Sequence, residues 1–190
     1  MSAPHCGLPL RLFVAIDPPD AVRDALAALA RPIRGVAWTS PEQFHLTLRF
    51  IGDTPASRLP DIERALSAVE VESFTLPVEC AGSFPPDRPA RVLWIGTGGG
   101  HPRLFQLRQK IDDGLLALGL PLDVRTFQPH FTLARCGRET PPAESARFVR
   151  NHAQFQAPVF RVDVFTLYRS DLRAHGAVHT PLLRVPLRRA

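Results

Sequence analysis

Two short stretches of this chain carry matching side chains at matching offsets. The first is Phe44-His45-Leu46-Thr47-Leu48-Arg49-Phe50-Ile51-Gly52, and the second is Pro129-His130-Phe131-Thr132-Leu133-Ala134-Arg135-Cys136-Gly137. In each, Gln stands two positions before His (Gln43, Gln128) and Thr two after it (Thr47, Thr132). Leu follows the Thr, and Gly closes the stretch seven positions after His. An unperturbed imidazole titrates near pH 6.5, so it can give or take a proton close to neutrality. Two imidazoles on opposite sides of a phosphorus permit in-line displacement. One takes the proton of the attacking oxygen while the other protonates the leaving oxygen. The hydroxyls of Thr47 and Thr132, with an arginine, can hold the non-bridging oxygens and stabilise developing charge. The other histidines, His5, His101, His152, His175 and His179, have no Thr at that offset, which singles out His45 and His130.

Rival readings of the same residues are weaker. A lone histidine on a strand is usually structural, but two matched copies are a poor coincidence. Thr is common in strands for packing reasons alone, yet both threonines share the face of their histidine. Metal ligation by His45 and His130 needs a third ligand. The carboxylate clusters of a two-metal nuclease are missing near either stretch. The glycine run Gly98-Gly99-Gly100 lacks the spacing of a phosphate-binding loop and reads as a flexible joint between two halves.

The elements that must position these groups follow from periodicity. Each stretch alternates, so each reads as a strand, with His45, Thr47 and Arg49 on one face and Phe44, Leu46, Leu48 and Phe50 buried on the other. In the second strand His130 and Thr132 share a face. Alternation points Arg49 at the chemistry and turns Arg135 away, unless the second strand ends or bulges before Arg135; Gly137 nearby permits that. A first buried strand spans 10–16. Asp17 caps a helix with Pro18 in its first position, and Val22, Ala25, Leu26 and Leu29 form its stripe. Further helices are expected over about 59–69, over 104–118 with leucines and Ile111 at helical spacing, and from Thr140 onward, carrying Ala146 and Val149. Strands are expected at 36–38, 74–80, 91–96, 160–167 and 180–187, with a breaker-rich loop over 82–89.

One functional strand per half suggests a duplication. The short connections and late strand pairs favour an α+β fold: two mostly antiparallel sheets, helices outside, a central cleft, and a single bilobal domain over residues 1–190. At 45% hydrophobic and 22% charged residues, the composition is that of a soluble globular protein. No apolar run is long enough for a membrane span, and the N-terminus lacks a signal-peptide pattern. A cytoplasmic monomer is expected. Cys6, Cys80 and Cys136 are too few and too scattered for a disulfide framework or zinc site, and Cys6 reads as a bystander. The formal charge is +5, and all but one of the 23 basic residues are arginine. Arginine suits bidentate phosphate recognition, although a GC-rich genome produces the same bias. A basic protein favours anionic partners in either case.

Paired His-x-Thr strands of this kind resemble the 2H phosphoesterase superfamily, and most closely its RNA 2′,3′-cyclic phosphodiesterases, often named 2′-5′ RNA ligases. The resemblance spans nearly the whole chain, from Arg11-Leu12-Phe13-Val14-Ala15-Ile16 through both signatures to Leu167-Tyr168-Arg169-Ser170 and the terminal strand. It implies a bilobal, pseudo-twofold fold with both signature strands lining the cleft. It also implies His45 and His130 as the acid–base pair, with Thr47, Thr132 and Arg135 as phosphate contacts; alternation adds Arg49. Around the last turn, where that family often has prolines and a tyrosine, this chain has Ala174, Ala177 and His179.

The expected activity is metal-independent opening of a 2′,3′-cyclic phosphate to a 2′-phosphate, with no cofactor and no membrane partner. The substrates would be RNA ends or nucleoside 2′,3′-cyclic phosphates. By analogy His45 is the acid and His130 the base, and the two can be exchanged. Phe84, Trp38 and Tyr168 are candidates for stacking on the base, with core packing as the competing role. The same site run in reverse would join RNA ends through a 2′-5′ bond. A nucleotide- or RNA-binding module without turnover is the remaining alternative.

Overall fold

The computed structural model of the protein describes residues 9–86, 89–99, 101–123, 126–173 and 176–189. His5, Cys6, Asp87, Arg88, Gly100, Ala174 and His175 lie outside the described residues. Among those described, nine strands and four α-helices follow the chain: β1 Leu10–Ile16, α1 Asp20–Ala27, β2 Val36–Trp38, β3 Leu46–Thr54, α2 Leu59–Ser67, β4 Phe74–Phe84, β5 Val92–Gly96, α3 Pro102–Ala117, β6 His130–Cys136, α4 Pro142–Asn151, β7 Gln156–Val162, β8 Val164–Arg173 and β9 Gly176–Pro186. This is the expected α+β fold, with the two expected sheets joined into one. Among the described residues, no helix is long and apolar enough to cross a membrane.

The strands run β7-β4-β5-β6-β3-β1-β8-β9, with β2 added to β6, and every neighbouring pair in that order is antiparallel. The two signature strands, β3 and β6, sit side by side at the centre. Only Leu46 and Phe131 pair between them, so two four-stranded halves are joined edge to edge by a single rung. Strands from the second half of the chain pair with strands from the first: β7 joins β4, and β8 joins β1. Each half of the sheet is therefore built from both halves of the sequence. The glycine run near 98 lies between β5 and α3.

The core follows the apolar pattern. Leu12 to Ile16 are all buried, as an interior strand covered on both faces requires. Val22 and Leu26 of α1, Ile62 and Leu66 of α2, and Leu104, Leu107, Ile111 and Leu115 of α3 are buried with them. In α4 the inward residues are Ser145 and Phe148; Ala146 is exposed and Val149 half-buried. Helix α1 starts at Asp20, not beside Asp17. Pro19 removes an amide that a cap at Asp17 would need. The Asp17 carboxylate instead accepts from the Tyr168 hydroxyl (2.7 Å) and the Thr166 hydroxyl (3.1 Å). Part of the expected 82–89 loop is the end of β4, and the expected strand through 160–167 breaks at Asp163 into β7 and β8.

Candidate active site

Leu46 and Phe131, the rung joining the halves, are fully buried. Alternation therefore turns their neighbours to the opposite face. Continued one residue each way, the antiparallel register sets His45 beside Thr132 and Thr47 beside His130. All four line one cleft of about 880 Å³, together with Arg11 and Arg135.

Each imidazole is held the same way. His45 Nδ1 lies 2.8 Å from the Gln43 carbonyl, and His130 Nδ1 lies 2.7 Å from the Gln128 carbonyl. A carbonyl only accepts, so both Nδ1 atoms carry the proton, and neutral imidazoles keep their lone pair on Nε2. The glutamines two before each histidine thus act through their backbones. Gln43 also acts through its side chain, whose amide donates to the Ala177 carbonyl at 2.6 Å and so fastens β9 to the segment that leads into His45.

The electrostatics differ between the two sites. Burial holds the His45 imidazole down at about 4; its hydrogen bond to Gln43 and the Asp17 charge oppose this, while His179 and His130 add to it. Burial also lowers His130, against the pull of its bond to Gln128. Aromatic walls do the burying. The His45 ring lies 5.0 Å from Phe13 and 5.2 Å edge-on from His179. The His130 ring lies 5.0 Å edge-on from Phe84 and 6.0 Å from Trp94. Trp94 pairs across strands with Gly82, where an added Cβ would fall 2.1 Å from the indole. Only glycine there lets the ring lie flat against β4.

Arg49 and Arg135 are sorted by a backbone irregularity that occurs twice. Against β1, the register of β3 skips Leu48 between Thr47 and Arg49. Against β5, the register of β6 skips Leu133 between Thr132 and Ala134. Each is a β-bulge three residues after its histidine, and each inverts the alternation beyond it. The inversion brings Phe50 and Arg135 onto the cleft wall and takes Arg49 off it. Arg49 is 3% exposed, with Nε 2.9 Å from Asp112 and Nη1 3.8 Å from Asp123, and it donates to the Pro121 carbonyl. The face that simple alternation gives Arg49 is therefore corrected. A bulge frees a carbonyl from the ladder, and a buried one needs a donor. Arg108 Nη1 donates to Leu48 O at 2.7 Å, and the Thr39 amide donates to Leu133 O at 2.8 Å.

Three cleft residues escape a reading by motif: Arg11, His179 and, in its role beside His130, Phe84. The Arg11 guanidinium sits 4.8 Å above the Phe50 ring, so it lies against the residue that occupies Arg135's place in the first repeat. Arg11 and Phe13 share the cleft face of β1 by alternation, which is the signal that could have found them. His179 arrives on β9 from the far end of the chain and carries none. Trp38 and Phe84 line the cleft, whereas Tyr168 does not; its hydroxyl is bound to Asp17. Among the described residues no cluster of three or more His, Cys, Asp or Glu is placed to hold a metal.

Residues 16–94 and 96–179 match the family described as LigT-like phosphoesterase. The RNA 2′,3′-cyclic phosphodiesterase of Aeropyrum pernix is 32% identical over 166 residues, covering 86% of this chain and 92% of that protein. The protein of the same name from Archaeoglobus fulgidus is 32% identical over 176 residues, covering 91% and 98%. The crystal structure of E. coli LigT complexed with 3′-AMP superposes with a TM-score of 0.76 at 27% identity, covering 94% of this chain and 98% of that one.

Proposed function

Because the chain belongs to the LigT-like phosphoesterase family, we propose that it hydrolyses 2′,3′-cyclic phosphates at RNA ends, leaving a 2′-phosphate. The observation that carries this reading is the pair of carbonyl-clamped imidazoles, His45 and His130, lining one cleft with Thr47 and Thr132 beside them. His130 Nε2 takes a proton from water as its oxygen attacks phosphorus. The bond from phosphorus to the 3′ oxygen breaks, and protonated His45 gives its Nε2 proton to that oxygen. The reverse assignment of the two histidines obeys the same balance. Thr47, Thr132 and Arg135 hold the non-bridging oxygens, and Arg11 supplies a second guanidinium from the opposite wall.

His45 is neutral in the free protein at pH 7. An anionic phosphate set against it favours the imidazolium, so the acid acquires its proton as the substrate binds. Both proton transfers fall to imidazoles, and the reaction as proposed needs no metal.

The test is a short RNA ending in a 2′,3′-cyclic phosphate, incubated with the protein in excess EDTA, with the product identified. Opening to a 2′-phosphate is expected, and His45→Ala and His130→Ala should each lower kcat by about 10²–10⁴-fold. Near-normal turnover by either variant, or no opening between pH 5 and 8 by folded protein, overturns the proposal.

A further inference from the structure

Among the described residues, His179 is the one cleft histidine outside the repeat. It lies on β9, its ring edge-on to Phe13 at 4.9 Å and to His45 at 5.2 Å. Its backbone pairs with Ser170 on β8, and two residues earlier the strand is tied to the His45 segment by the bond from Gln43 to Ala177. The ring is thus placed from two sides. Its Nδ1 is buried and has no hydrogen-bond partner among the described residues. That is the reverse of His45 and His130, whose Nδ1 atoms both donate to carbonyls.

The contrast sets the tautomer. A buried N–H without an acceptor is rarer and costlier than a buried lone pair without a donor. Nδ1 of His179 therefore carries the lone pair, and Nε2 carries the proton. Neutral His45 and His130 present acceptors to the cleft, whereas His179 presents an N–H donor to it. Burial also favours its neutral form. Asp17, whose charge acts on His45, is occupied by the Tyr168 and Thr166 hydroxyls.

From this placement we infer that His179 is a substrate-binding residue, donating from Nε2–H to a non-bridging oxygen of the phosphate on the His45 side of the cleft. The inference rests on the reading of the cleft as a cyclic phosphodiesterase site. It gives His45 a fixed neighbour for the oxygen that must stay oriented while the 3′ oxygen departs.

Three variants test it: His179→Phe keeps the ring and removes the donor, His179→Gln keeps a terminal N–H, and His179→Ala removes both. Wild-type turnover on the cyclic-phosphate RNA is measured first; its absence would fail the reading of the cleft, not the role of His179. Binding of inorganic phosphate and of 3′-AMP by calorimetry then tests His179 without turnover. A hydrogen bond to a charged oxygen is worth about ten- to a hundredfold. His179→Phe should therefore weaken both ligands and raise KM by about that factor, with thermal stability retained and His179→Gln recovering most of the loss. Unchanged binding and KM in His179→Phe, or a loss in His179→Gln as large as in His179→Ala, overturns the inference.

Discussion

The two walls of the cleft share a backbone and differ in their side chains. On both, a glutamine carbonyl holds Nδ1 of the histidine. A threonine follows two residues later, and a bulge at the next leucine inverts the strand. Past the bulge the walls part. The β3 wall offers Phe50 with Arg11 leaning on it, and it encloses His45 among Phe13 and His179. The β6 wall offers Arg135 directly and sets His130 against Phe84 and Trp94. Duplication alone would yield two equivalent imidazoles. The proposed acid and base roles call for different environments, and the difference between the two imidazoles comes from neighbours outside the repeated motif.

The largest effect that would break this comparison concerns Arg49, the residue that takes Ala134's place in the first repeat. Its guanidinium is buried against Asp112 and Asp123. Arg49→Met should cost about 3 kcal/mol in urea denaturation by stranding buried charge, with KM of the folded enzyme unchanged. A raised KM with unaltered stability would return Arg49 to the cleft. The mirror experiment is Arg135→Ala. It removes an exposed cation from the cleft wall and should lower kcat/KM about ten- to a hundredfold, leaving stability within about 0.5 kcal/mol. If both variants lost only stability, the two bulges would not be sorting function from structure.

The smallest effect sharpens the electrostatic contrast. The folded state holds His45 at about 4, below the ordinary value near 6.5 of the unfolded chain. Its neutral form therefore favours folding above pH 6.5, and that contribution is lost as pH falls toward 4. Unfolding free energy should drop by about 1 kcal/mol between pH 7 and 5.5 through this group. His45→Asn should flatten that slope, and the imidazole resonances of His45 should titrate well below those of an exposed histidine. Equal slopes in the variant and the wild type would mean that burial does not hold His45 neutral.

Much of this molecule is legible in the chain. The stripe of α3, the buried run of β1 and the strand character of both signatures follow from periodicity, because a side chain's face depends on its near neighbours. The offset from His45 to Thr47 and from His130 to Thr132 puts each pair on one face for the same reason. Alternation fails one residue further on. A bulge is stable only where something satisfies the carbonyl it releases, and for Leu48 that donor is Arg108, sixty residues away; for Leu133 it is the Thr39 amide. No local pattern contains those partners.

The sequence by itself determined which groups could move protons and hold a phosphate, since residue type and short-range spacing are covalent facts. Tertiary structure decided which arginine faces the cleft and how far each imidazole is buried. It also decided that His179 joins His45, through a strand that crosses from the end of the chain to the first half of the sheet. Those outcomes depend on contacts between distant segments, where burial and hydrogen-bond satisfaction are settled only once the chain has closed on itself.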